Sequence, residues 1–187
     1  MPNRDVWKYG SSQRLHELLS SALITLLLPG SEGRSVYFAS PWMSDFNLFE
    51  NGAREVSALF PVLADRATIR FVEFLKTLSD RHDVRIITAR NRVSDAFVDR
   101  LRGISEGGAQ RSLRVRISPQ ETHEKGILAP AFYIDGSMNI THMGVHVNGE
   151  KIAYHADAAG ESAARIASAY FEFDRRWALL ATDELRW

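Results

Sequence analysis

Residues 123–139 read HEKGILAPAFYIDGSMN, an unusual run for one short segment. His123 and Lys125 stand two apart at its start, and Ser137 and Asn139 stand two apart at its end. Residues two apart in extended chain point to the same side. If 124–129 and 131–135 are adjacent strands joined at Ala129–Pro130, the turn between them returns the second pair to the rim that carries the first. An ammonium, a hydroxyl and a carboxamide then face one place, and all three donate hydrogen bonds suited to the non-bridging oxygens of a phosphodiester. The imidazole beside them is free to act as a nucleophile or a proton carrier.

In type and spacing these residues resemble the signature of the phospholipase D superfamily: His-x-Lys, four residues, Asp, six residues, Gly-Ser-x-Asn. His123-Glu124-Lys125 and Gly136-Ser137-Met138-Asn139 carry the match, and Asn148 and Glu150 resemble the trailing Asn-x-Glu. Upstream, VYFASPWMSDF and DVRIITA resemble the first two core strands of that fold. Two positions differ. Pro130 stands where the family has Asp, and one residue fewer separates His123 from Gly136. A narrower similarity, carried by SPWMSD, HEKG and FYIDGSMNITHMGVHVNGE, is to small single-motif members of bacterial gene clusters for deazapurine DNA modification and defence, the DpdK type.

The resemblance implies an α/β fold with a mixed sheet flanked by helices on both faces, in a single domain spanning 1–187. It also implies a chemistry. His123 attacks phosphorus to give a phosphohistidine, while Glu150 holds the other ring N–H, as a carboxylate does in a Ser–His–Asp triad. Lys125, Ser137 and Asn139 bind the charge on the equatorial oxygens, so no metal or cofactor is expected. One imidazole bonded to phosphorus cannot also protonate the leaving alkoxide. With a single His-x-Lys in the chain, a homodimer with two-fold symmetry is the simplest source of a second.

Other residues admit more than one role. Trp42 and Asp45 follow a strand end beside the expected site and are candidates for its rim; Trp42 suits either stacking on a base or packing over the edge. His142 and His146, four apart, could form a metal pair, but Gly144 between them argues for loop or extended chain. His16 is expected on a helix surface, and His155 as a packed or hydrogen-bonded strand histidine. The arginines of RLR (100–102) and RVR (114–116) suit either a nucleic-acid backbone or plain solvated surface.

The elements that must position these groups follow from hydrophobic spacing. Ser11 or Ser12 can cap a helix with Leu15, Leu18, Leu19, Ala22, Leu23 and Leu26 on its face, stopped at Pro29-Gly30. A buried strand is expected over 34–40, then a loop and a weakly helical stretch to about Pro61. A helix over 68–82 and a strand over 83–89 follow. Ser94 caps a helix facing inward through Phe97, Val98, Leu101 and Ile104, and Gly107-Gly108 ends it. A half-buried strand near a sheet edge is expected over 112–118, and another strand over 151–156. The last helix, 161–180, repeats Ile166, Tyr170, Phe173, Trp177 and Leu180, a seam able to pack on the sheet or on a partner helix. The sheet edge is an equal candidate for the dimer contact.

Composition narrows the function. Formal net charge is zero, so no global basic field points to nucleic acid. The 19 Arg against 4 Lys suit phosphate contacts, although a GC-rich genome gives the same bias. No cysteine is present, which excludes disulfides and thiolate chemistry. No signal peptide is apparent, and ALITLLL from Ala22 is far short of the ~20 residues that cross a bilayer. A cytoplasmic nuclease acting on DNA, with other proteins of a defence cluster as further partners and no membrane contact, is the first expectation. A catalytically weakened DNA-binding or assembly subunit is the alternative, and a lipid phosphodiesterase a third.

Overall fold

In the computed structural model residues 4–7, 13–54, 56–105, 113–119, 123–156, 160–180 and 184–186 are described. In chain order the elements are β1 (Arg4–Trp7), α1 (Gln13–Thr25), β2 (Val36–Ala39), β3 (Asn47–Glu50), β4 (Thr68–Arg70), α2 (Phe71–Ser79), β5 (Val84–Ala89), α3 (Arg92–Ser105), β6 (Leu113–Ser118), β7 (Gly126–Ala129), β8 (Phe132–Gly136), β9 (Lys151–Ala156), α4 (Glu161–Leu179) and β10 (Glu184–Arg186). A 3₁₀ turn covers Pro61–Leu63 and a π-helical turn Met143–Val147.

Eight strands form one mixed sheet in the order β1-β9-β8-β7-β2-β5-β6-β10. β2, β5 and β6 run parallel, and the remaining neighbours are antiparallel. Strand alternation divides the core in two. Val36, Phe38, Val84, Ile86, Ile127 and Ile134 face the apolar sides of α1, α2 and α3. Tyr37, Ala39, Ile87, Leu128 and Tyr133 face α4. The fold is therefore α/β, with helices on both faces of a mixed sheet.

The α4 seam packs on the sheet. Ile166, Tyr170, Phe173 and Trp177 are buried there, with Leu180 just beyond the helix, so this seam is not a surface left for a partner helix. Arginine buttresses the same face. Arg116, expected on a half-buried strand, is only 6 % exposed, lies 4.1 Å from the Trp177 ring and donates to the Trp177 carbonyl. Arg114 pairs with Asp83 at 2.5 Å, Arg100 with Asp45 at 2.9 Å, and Arg102 with Asp99 at 3.4 Å. Arg114 and Arg116 thus serve ion pairing and packing against α4, Arg100 holds the buried side chain of Asp45 from an exposed position, Arg102 makes an exposed surface pair, and β6 lies one strand in from the edge.

Four local expectations differ. The stretch after β2 contains β3, which pairs with β4 as a separate two-stranded sheet. β3 shows no apolar–polar alternation (its middle two residues are buried and its ends exposed), and three-residue β4 reads as the start of the next helix. α2 instead begins at Phe71, because its first N–H groups find acceptors outside the helix: Phe71 N–H on the Phe46 carbonyl and Val72 N–H on the Asp45 carboxylate. Asn91, not Ser94, caps α3, accepting from the N–H groups of Val93 and Ser94. Residues 143–147 form a π-helical turn rather than loop or extended chain. The caps Ser11 and Ser12 and the stop Gly107-Gly108 lie outside the described residues. Among the described residues no helix is long and apolar enough to cross a membrane.

Candidate active site

The site is built by the β7–β8 hairpin. Ala129 pairs with Phe132 and Gly126 with Asp135, closed by the two-residue turn Pro130–Ala131. This register sets Lys125 beside Gly136 and returns residues 136–139 to the rim where 123–125 enter. Pro130 sits at the opposite end of β7, five residues from Lys125, or roughly 16 Å at about 3.3 Å per residue. Proline in place of Asp therefore falls in a tight turn that suits its fixed φ, remote from the rim.

His123, Lys125 and Asn139 line one cleft of about 370 Å³, together with Pro41, Trp42, Ala89, Arg90 and Asn91. His123 is exposed. The Lys125 ammonium donates to the His123 carbonyl at 2.9 Å, which folds the two residues toward one another. Asn139 is oriented from behind by buried Ser40, whose Oγ lies 3.3 Å from Asn139 Oδ1 and also accepts the N–H of Ile140. Among the described residues nothing accepts from the Asn139 amide NH₂, so its donors remain for a ligand. Ser40 and Asn91 carry no motif signal and emerge only from the tertiary contacts.

Ser137 and Glu150 form the adjoining part of the rim. The Ser137 hydroxyl donates to Glu150 Oε2 at 2.5 Å and accepts the Lys151 N–H at 3.0 Å. Gly136 permits this approach. Its φ is +142°, and a Cβ there would lie 2.1 Å from the Lys151 carbonyl oxygen. Glu150 thus holds Ser137, and among the described residues no hydrogen bond joins it to the His123 imidazole. Neither Ser137 nor Glu150 lines the cleft that holds Lys125 and Asn139. A second depression, of about 430 Å³, borders His123, Glu124, Lys125, Asp135, Gly136 and Lys151.

Trp42 lies in the first cleft and is 55 % exposed. Asp45 does not line it. Its side chain is 4 % exposed and accepts from Arg70 (2.6 Å), Arg100 (2.9 Å) and the Val72 N–H, so it ties α2 and α3 to the loop after β2. Glu124, the middle residue of His-x-Lys, does not line the first cleft and pairs with Arg176 of α4. That anchor was not legible in the sequence, because the two residues are 52 apart.

The other histidines lie elsewhere. His142 and His146 have ring centroids 4.8 Å apart, and the His16 ring lies tilted against His146 with centroids 4.6 Å apart. His16 is half-buried, with Nε2 2.7 Å from the Leu48 carbonyl, rather than at the surface. Among the described residues no group of three His, Cys, Asp or Glu is arranged to hold a metal ion. His155 stacks on Tyr133, with Nε2 3.7 Å from Asp135.

No protein-family model matches the chain, and no curated protein sequence matches it. Solved structures do match. A phospholipase D family member, Nuc from Salmonella typhimurium, superposes with a TM-score of 0.52 at 15% identity, covering 98% of this chain and 99% of that one. NucT from Helicobacter pylori gives 0.50 at 12% identity with both chains fully covered. TrmBL2, an archaeal chromatin protein described with a novel mode of DNA binding, gives 0.52 at 9% identity over 95% of this chain and 52% of that one. At these identities the likeness is one of fold, and the fold is phospholipase D-like.

Proposed function

We propose that the chain is a phosphodiesterase of the phospholipase D type that cleaves nucleic acid, with DNA as its substrate, at a site shared by two copies related by a dyad. The observation that carries this reading is a cleft lined by an imidazole, an ammonium and a carboxamide whose donors have no acceptor among the described residues. His123 attacks phosphorus through one ring nitrogen; the P–N bond forms as the P–O bond to the leaving alkoxide breaks. A protonated imidazole from the second copy gives its proton to that oxygen. Water then attacks phosphorus, its proton passes to the same imidazole, and the P–N bond breaks. Lys125 and Asn139 stabilise the charge on the equatorial oxygens, each such donor contributing about 10²–10³ in rate in related sites. The Ser137 hydroxyl, whose one proton is donated to Glu150, can join them only when that carboxylate turns away, and the same movement is required for Glu150 to fix the tautomer of the imidazole.

The need for a second copy is supported by the cleft itself, since among the described residues no other histidine lines it. The narrower resemblance sets the activity in DNA modification and defence, and the neighbouring genes test that setting. Purified protein should degrade DNA with chelator present. His123→Ala should abolish this, and Lys125→Ala should reduce it roughly 10²–10³-fold. Undiminished hydrolysis by His123→Ala removes that residue from the mechanism. The second reading, a DNA-binding subunit without turnover, draws on the likeness to a chromatin protein. It predicts tight DNA binding that survives His123→Ala and weakens with Lys125→Ala.

A further inference from the structure

Trp42 is an exposed indole on a fixed backbone. Its neighbours Ser40 and Met43 are buried at 1 % and 0 %. The Pro41 carbonyl accepts from the Asn91 amide (2.8 Å) and the Ser94 hydroxyl (3.1 Å), and the Trp42 carbonyl accepts from Ser40 (2.7 Å). The Met43 N–H is held by Ser94 at 3.2 Å. A flexible loop with an exposed tryptophan pays an ordering cost on binding; this one is already ordered. Among the described residues no ring or cation stacks on the indole. Arg90 borders the same cleft with its side chain 73 % exposed, and its ion pair with Asp95 is long at 3.9 Å. Both residues follow the C-terminal ends of the adjacent parallel strands β2 and β5, a usual place for a ligand crevice in α/β sheets.

We propose that Trp42 and Arg90 form a nucleotide subsite next to the phosphate clamp: the indole stacks on an unpaired base flanking the scissile phosphodiester, and Arg90 binds the next phosphate. The substrate is then single-stranded nucleic acid, because a duplex keeps both faces of each base occupied by its neighbours. A planar base matches a rigid indole face, whereas a lipid headgroup offers no such plane. The inference rests on the reading of this cleft as a nucleic-acid phosphodiester site, and names which form of substrate it takes.

The test measures binding in the His123→Ala background, so that cleavage does not enter. Its probes are a labelled single-stranded oligodeoxynucleotide, an abasic strand with the same number of phosphates, a hairpin duplex and phosphatidylcholine vesicles. Melting curves confirm that each variant is folded. Trp42→Ala should weaken the base-bearing strand about tenfold or more and leave the abasic strand unchanged, while Trp42→Phe keeps most of the affinity. Arg90→Gln should weaken both strands alike and reduce the slope of log affinity against log salt by about 0.7. The proposal is overturned if Trp42→Ala affects both strands equally or neither, or if duplex competes as well as single strand. Vesicle binding that depends on Trp42, with oligonucleotide binding unaffected, overturns it in favour of a lipid substrate. Absence of hydrolysis in the parent chain counts against the phosphodiesterase reading alone, since stacking is read from affinity. Base-independent binding in a chain that does hydrolyse DNA sinks the subsite alone.

Discussion

At the scale of single residues, small groups set the position of the motif side chains. Gly144 in the π-helical turn lies against Asn139: a Cβ there would come 2.2 Å from the Asn139 carbonyl oxygen. Gly144→Ala must push the Asn139 backbone away, and the carboxamide with it. A loss of hydrolysis approaching that of Asn139→Ala is expected, measured beside a melting curve that separates misplacement from unfolding. Asp45 shows the opposite case, a carboxylate beside the site that works for the fold. Three donors converge on it in a nearly dry position. Asp45→Ala should therefore lower stability by about 2 kcal/mol in urea unfolding while leaving the affinity for oligonucleotide within a factor of two or so. A selective loss of affinity at unchanged stability would restore Asp45 to the rim.

At the scale of elements, α4 does two things. Its apolar seam covers the sheet, and Arg176 near its end holds Glu124, so the His-x-Lys segment is tied to a helix rather than left as a free loop. The sheet beneath carries a polar network at the other end of its parallel strands. Burial alone would raise the Asp83 carboxyl, but hydrogen bonds from Ser35 and Arg114 and the charges of Arg85 and Arg114 outweigh it and hold the group below its ordinary value of 3.8. A carboxylate whose folded-state value is depressed adds stability at pH above its unfolded value, and that stability is lost as pH falls through the folded one. Urea unfolding should show Asp83→Asn less stable than the parent at neutral pH, with the gap closing below about pH 4. A constant gap across that range would mean that the charge of Asp83 does not stabilise the fold.

At the scale of the whole molecule, the proposed mechanism asks for two imidazoles, and among the described residues one chain offers one in the cleft. Sedimentation should give a species of twice the chain mass under assay conditions, and dilution that yields monomer should lower specific activity in step. Full activity in a strict monomer would refute the shared site. The α4 seam is spent on the sheet, so the proposed dimer would have to meet through a surface outside that packing. With net charge zero, the proposed binding of DNA would draw on the few cations at the cleft, and a shallow salt dependence is expected.

Periodicity and motif spacing carried much of this protein on their own. The apolar runs of β2, β5, β7 and β8, the helical faces of α1, α3 and α4, and the pairing of 123–125 with 137–139 are all local patterns, legible because neighbours in sequence fix which face a residue occupies. The β7–β8 hairpin is local too, so the rim it builds could be anticipated, Pro130 included. Tertiary structure decided the rest. Which side chain Glu150 holds, that Asp45 braces two helices, that Arg114 and Arg116 turn inward, and that Trp42 stands exposed on a pinned backbone depend on contacts that no local pattern records. Such contacts leave no period in the sequence, since the partner of a buried charge or an amide is chosen by where whole strands and helices come to rest.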